Sequence, residues 1–189
     1  LDYLLKRYTL LYGTTDVWDH EKREVIQLEK LKPYWGKFSI DLWLDSPKRR
    51  SADLDQLIFM PTGTVPEGSI NMFTGWPLKP DSSKSCHLIV EHLYYLCGKD
   101  DDVFDWVVKW LAYPLQHPGA KMHTCMLFYG AQEGTGKNMF FEDVIQRIYG
   151  DEYSVTINQQ MLQDPFNGWL SHRLYCVADE VVSSADRRL

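Results

Sequence analysis

The sequence predicts an α/β chain: a mostly parallel sheet with helices on both faces, entered through a helical segment and a small α+β accessory region. Three observations predict it. From about Lys121 onward, apolar strand-sized runs alternate with helix-sized ones. Between about Ser85 and Leu115, apolar residues recur at helical spacing. Before Pro80, short strand-like runs are broken by turn signals. The expected organisation is an accessory region over residues 1–80, a helical linker or lid segment over 81–120, and a nucleotide-binding core over 121–189, incomplete at its C-terminal side.

In the accessory region Tyr8 to Tyr12, Thr15 to Trp18 and Glu24 to Leu28 read as strands, with Asp19 to Lys22 turning between the last two. Leu54 to Met60 is a further strand candidate, and the Gly- and Pro-rich run Pro61 to Pro80 reads as an irregular connector. Two helices come next. One spans about Ser85 to Cys97 with Leu88, Val90, Leu93 and Leu96. The other spans about Asp101 to Leu115 with Val103, Phe104, Val107, Val108 and Leu111, and Asp100 to Asp102 supply an N-cap and favourable charge at its start. Beyond the turn at Gln116 to Gly119 come strand Thr124 to Tyr129, helix Lys137 to Tyr149 closed by Gly150, strand Tyr153 to Ile157, a helical or irregular stretch to Leu170, and strand Arg173 to Ala178.

The bulk properties narrow the class. A chain of 189 residues supports one sizeable core, or one core with a small appended domain. Its 44% hydrophobic and 24% charged residues belong to a globular protein, and its apolar runs are far short of the roughly 20 residues that cross a bilayer. A net charge of −6 argues against a basic nucleic-acid coat protein, although a local basic surface is compatible with it. The four cysteines are scattered, two of them in the expected buried strands at Cys125 and Cys176, which reads as free thiols in a reducing compartment. Cys86, His87, His92 and Cys97 lack the paired spacing of a zinc site and read as a packed helix face.

The chemistry is concentrated in FYGAQEGTGKNMFF, Phe128 to Phe141. Ala131, Gln132, Glu133, Gly134, Thr135, Gly136 and Lys137 follow the phosphate-loop pattern of Ala or Gly, four free positions, Gly and Lys. Gly134 and Gly136 let the backbone curl so that successive N–H groups face a phosphate, the helix N-terminus adds partial positive charge, and Lys137 reaches the β- and γ-phosphates. Asn138 stands where Ser or Thr normally ligates Mg²⁺, and its amide oxygen is expected to keep that role. The alternative is a structural glycine turn. About forty residues downstream, the apolar run Leu174 to Ala178 ends in Asp179 and Glu180. Next to a phosphate loop, Asp179 is placed to hold Mg²⁺ and Glu180 to orient and deprotonate the attacking water. Alone, such an Asp-Glu pair is an ordinary solvated turn.

These residues, together with YPLQHPGAKMHTC before the loop and the spaced Phe166, Asn167 and Trp169 after it, resemble the helicase region of phage and mobile-element primase-polymerase-helicase replication proteins. That group is similar to superfamily 3 helicases within the AAA+ P-loop ATPases, where Lys-Asn is a familiar loop ending. The resemblance covers about Trp110 to Val182. It implies an AAA+-like P-loop NTPase fold and a homo-hexameric ring that hydrolyses ATP with Mg²⁺ to translocate on single-stranded DNA. It also implies a primase or polymerase domain in the same polypeptide, the cytoplasm of a bacterial host cell, and no membrane. Lys137 and Glu180 match the family's catalytic positions, Asp179 and Asn138 its metal positions. The sensor, DNA-contacting hairpin and arginine finger are expected beyond Leu189, so the chain reads as an excerpt with little activity of its own.

Other readings stay open. A P-loop ATPase acting as an assembly switch or defence module would share the loop and the acids, and the first half could be an oligomerisation platform. Asp53-Leu54-Asp55 reads as a solvated turn rather than a polymerase metal pair, and Lys48 to Arg50 as surface charge. Trp76 reads as packing onto the core rather than as a base-stacking residue.

Overall fold

The computed structural model describes residues 1–130, 132–179 and 181. The chain divides into two compact units, Leu1–Thr74 and a second from Gly75 onward. It is a mixed α/β protein with small sheets.

The first unit opens with helix α1 (Asp2–Arg7) and strand β1 (Tyr8–Tyr12), then β2 (Asp16–Asp19) and β3 (Glu24–Gln27). Helices α2 (Lys32–Trp35) and α3 (Lys37–Leu44) carry the chain on to β4 (Arg50–Asp53). The sheet order is β3-β2-β1-β4, with the first two pairings antiparallel and β1–β4 parallel. A parallel neighbour needs a crossover, and the α2–α3 segment provides it. Leu4, Tyr8, Val17, Leu31, Ile40 and Trp43 form the core beneath this sheet. Asp19 has no exposed side-chain surface, yet it is satisfied: the Arg7 guanidinium donates from Nε and Nη2, at 2.8 Å for the closest approach, and the Glu21 and Lys22 backbone N–H groups donate at 2.9 and 3.0 Å. Burial opposes its ionisation, but these donors prevail and hold its carboxyl below the usual range.

Asp53, expected in a loop, ends strand β4 and caps a 3₁₀ turn over Leu54–Gln56, with Gln56 accepting in return from the Asp53 N–H. The strand expected over Leu54 to Met60 is therefore shorter: β5 is Leu57–Ile58, paired in parallel with β6 (Ile70–Asn71). The cap takes the residues that would have extended it.

The second unit starts with α4 (His87–Leu96) and α5 (Asp101–Gln116). Asp100 caps α5, accepting from the Val103 N–H at 3.0 Å. Trp76 packs edge-on against Tyr149 and donates to the Leu115 carbonyl at 3.2 Å, so it faces the core. After the glycine loop the expected helix starts at Lys137 and Asn138, continues as a π-helical segment over Met139–Gln146 and ends as α6 (Arg147–Tyr149), stopped at Gly150. Strand β7 (Ser154–Ile157), helix α7 (Gln159–Gln163) and strand β8 (Tyr175–Ala178) complete it, with β7 and β8 parallel. Leu93, Cys97, Val107, Leu111, Phe140, Ile145, Tyr149 and Tyr175 form the core.

Three expectations are corrected here. Thr124 to Tyr129 is not a strand; Met126 and Phe128 pack against the core while Leu127 and Tyr129 are 84% and 89% exposed. The run has the period-2 alternation of a strand, but a strand exists by pairing and this one has no ladder partner among the described residues. Of the parallel sheet expected in this half, the described residues form the β7–β8 pair. Cys125 and Cys176, expected to be buried, are exposed free thiols: Cys125 lies on the unpaired Thr124 to Tyr129 segment, and alternation along β8 turns Tyr175 inward and Cys176 outward. Among the described residues no helix is long and apolar enough to cross a membrane.

Candidate functional site

The loop from Gly130 to Lys137 connects the extended Thr124 to Tyr129 segment to the π-helix. Gly134 and Gly136 have φ of +70° and +81°, a region that L side chains rarely adopt, which gives the loop its curl. The loop is also held from the side. His92 of α4 donates from Nε2 to the Gly136 carbonyl at 3.2 Å, and a Cβ at Gly136 would lie 2.7 Å from that nitrogen. Glycine is required here twice over, by dihedral angle and by space.

Beside the loop lies a cavity of about 290 Å³. Its lining combines Gly130, Gln132, Thr135 and Lys137 with the apolar and aromatic residues Tyr95, Leu96, Phe128 and Tyr129. The Lys137 ammonium donates to the Thr135 hydroxyl at 3.2 Å, which holds it over the loop. Glu133 is exposed.

Asn138 and Asp179 are 41 residues apart in sequence and meet directly: the Asn138 amide N–H donates to Asp179 Oδ1 at 2.9 Å. Strand pairing makes this possible. The Asp179 N–H continues the β7–β8 ladder by donating to the Ile157 carbonyl at 2.9 Å, which places Asp179 at the carboxyl end of β8. A second cavity, about 330 Å³ and lined by Thr156 to Gln160 and Asp179, opens at that end. In open α/β sheets ligands bind at the carboxyl ends of strands, and this cavity has that position. Ala131 and Glu180 lie outside the described residues.

Glu142 is a neighbour that the sequence did not single out. Half-buried on the π-helix, it has its carboxyl pushed above its ordinary value by burial and by the charge of Asp179, with the Thr156 hydroxyl acting in the opposite direction. Its spacing was the available signal, since Glu142 lies four residues after Asn138 and so returns to the same side of a helix. His92 and Tyr95 were missed as loop neighbours for a different reason: nothing in the local sequence says which element α4 packs against.

Among the described residues no group of three or more His, Cys, Asp or Glu side chains could hold a metal ion. Asn138 and Asp179 fit a weaker role, that of two oxygen donors for a Mg²⁺ whose remaining ligands are water and phosphate. The Asn138 carbonyl oxygen is not used in the bond to Asp179, which its amide nitrogen makes.

The site is therefore a curled, lysine-bearing loop at a helix start, facing a carboxylate at the end of a parallel strand. Residues 128–188 match a family of unknown function, DUF5906, whose matched segment contains both the loop and the acids. Two solved structures share the fold over nearly the whole chain. The apo structure of the NrS-1 C-terminal region (305-718) is 20% identical with a TM-score of 0.72, covering 96% of this chain and 45% of that one. The A-form apo structure of the NrS-1 C-terminal region is 17% identical with a TM-score of 0.64, covering 98% of this chain and 46% of that one. This chain thus spans less than half the length of the region it resembles. No curated protein matches the sequence.

Proposed function

We propose that this chain carries part of the ATP-binding site of a P-loop ATPase that works as a replicative DNA helicase, of the phage and mobile-element primase-polymerase-helicase type. The observation that carries the reading is the 2.9 Å contact between Asn138 and Asp179. The motif alone left a glycine turn as an alternative, and a glycine turn has no reason to meet the carboxylate that closes a parallel strand forty-one residues later. The similarity to the NrS-1 C-terminal region supports the fold on which this reading depends.

In this reading the backbone N–H groups of Gly134 to Lys137 receive the β-phosphate and Lys137 spans the β- and γ-phosphates. Asn138 and Asp179 would hold Mg²⁺, which would supply positive charge against the phosphates. Glu180 orients the attacking water and accepts its proton. Translocation on single-stranded DNA by a hexamer is the further step, and it rests on the resemblance of Trp110 to Val182 to that helicase group.

The test is Mg²⁺-dependent ATP hydrolysis by the full-length protein, with and without single-stranded DNA, beside Lys137→Ala and Glu180→Gln. DNA-stimulated turnover lost in both variants is expected. Turnover indifferent to DNA would favour a switch or defence ATPase, and no turnover in the unmutated protein would overturn the nucleotide reading.

A further inference from the structure

We infer that the aromatic lining of the loop cavity is the base subsite of a purine nucleotide, with Tyr95 of α4 as the side chain that stacks on the base. The inference rests on the nucleotide reading above and adds a ligand half that a phosphate loop leaves unaccounted for.

The cavity has two chemically different kinds of lining. Of the residues that line it, Gly130, Gln132, Thr135 and Lys137 are the ones a triphosphate held by the loop would reach. The remaining lining residues, Tyr95, Leu96, Phe128 and Tyr129, offer aromatic and aliphatic surface that a polyanion does not reward, and a nucleotide is a flat heterocycle joined to a polyanion. Base-stacking surface beside phosphate-binding surface is what such a ligand requires.

Tyr95 is placed and oriented for that role. His92, Tyr95 and Leu96 stand at i, i+3 and i+4 on α4, so they share one face. The His92 ring is anchored at the loop by its bond to Gly136 and lies 6.4 Å from the Phe140 ring. Tyr95 stacks on it with ring centroids 6.2 Å apart and planes 23° from parallel. The tyrosine ring thus lies nearly parallel to and beside a His92 ring that is itself bonded to the loop. The residue is 47% exposed, so it keeps open surface toward the cavity it lines. Phe128 forms a fixed wall, its ring 4.7 Å from that of Phe141.

Stacking grows with ring area, so a purine is favoured over a pyrimidine, and the one charged residue lining the cavity, Lys137, is the one the phosphates use. The subsite therefore selects the ring system rather than one base.

The test is equilibrium binding of ATP, CTP and inorganic tripolyphosphate, each with Mg²⁺, to the whole chain and to Tyr95→Ala, Tyr95→Phe and Lys137→Ala. Tyr95→Ala is expected to weaken ATP about tenfold and CTP less, as loss of an aromatic stack does. Tyr95→Phe should stay within about twofold of the unmutated protein, because the stacking face is retained. Tripolyphosphate should bind both Tyr95 variants as it binds the unmutated chain, while Lys137→Ala should weaken all three ligands. Unchanged ATP affinity in Tyr95→Ala, or an equal loss for ATP and tripolyphosphate, would overturn the base subsite and leave the phosphate reading standing. Failure of all three ligands to bind the unmutated chain would remove the phosphate reading and the subsite with it.

Discussion

Replacing Gly136 with Ala tests the geometry of the loop more sharply than replacing Lys137, because its cost has two separable parts. Gly136 sits at φ +81°, and holding an L-residue in the left-handed region costs about 1 kcal/mol. The added Cβ would also lie 2.7 Å from His92 Nε2 and 2.8 Å from its Cε1, closer than carbon atoms approach without something moving. If the imidazole swings away, its bond to the Gly136 carbonyl is lost, at about 1 kcal/mol net. The expected total is about 2 kcal/mol, a fall in melting temperature of roughly 4–8 °C for a chain of this size. In a His92→Ala background only the dihedral part remains, so the same substitution should cost about 1 kcal/mol and the two sites should couple by about 1 kcal/mol. Thermal unfolding of the unmutated chain, both single variants and the double variant gives all four values. An equal cost of Gly136→Ala in both backgrounds would refute the contact between α4 and the loop, and no cost in either would refute the loop conformation itself.

Three further outcomes are expected. Asn138→Ala should raise the Mg²⁺ concentration needed for half-maximal ATP binding about tenfold, the scale of losing a metal-orienting group; an unchanged Mg²⁺ dependence would remove Asn138 from the site. Asp19 has a folded-state pKa below its unfolded value, so its contribution is complete above the unfolded carboxylate pKa of about 4 and is lost as pH falls through the lower folded value. Denaturant unfolding of the region containing Leu1–Thr74 should accordingly weaken in that acid window, and Asp19→Asn should flatten this dependence while lowering stability at pH 7. Tyr175 donates to the Phe141 carbonyl at 3.1 Å, so Tyr175→Phe should cost about 1 kcal/mol by chemical denaturation, and a neutral result would mean that this carbonyl has another donor.

Legibility in the sequence divides between local and tertiary causes. Strand β1 and helices α4 and α5 were readable because periodicity and capping are local, and Asp100 caps α5 as its side chain allows. The glycine turn at Gly134 and Gly136 and the strand ending at Ala178 were readable for the same reason. Helices α2 and α3 were missed because Lys32–Leu44 mixes aromatic and charged residues without clear amphipathic spacing, and their burial of Ile40 and Trp43 is set by the sheet they cover. Strand β4, Arg50–Asp53, is a polar run whose extended form comes from pairing with Thr9 to Tyr12 rather than from its own composition. The Thr124 to Tyr129 segment fails in the opposite sense, with strand composition and no partner among the described residues. At the site, residue types announced the loop, whereas the meeting of Asn138 with Asp179 and of His92 with Gly136 depended on tertiary packing.

The π-helical segment over Met139–Gln146 makes chain length part of the site's design. Each of its hydrogen-bonded turns holds one residue more than an α-helical turn. Removing a residue near Glu142 would let the segment close as an ordinary α-helix, and the tighter turn would absorb the loss, so the parts on either side would keep nearly the same facing. Adding a residue has no such outlet: in a segment that already carries its extra residue, one more would rotate the N-terminal part by about 100° relative to Ile145 and Tyr149 in the core and carry Lys137 and Asn138 away from Asp179. Shortening this segment by one residue should therefore be tolerated far better than lengthening it by one.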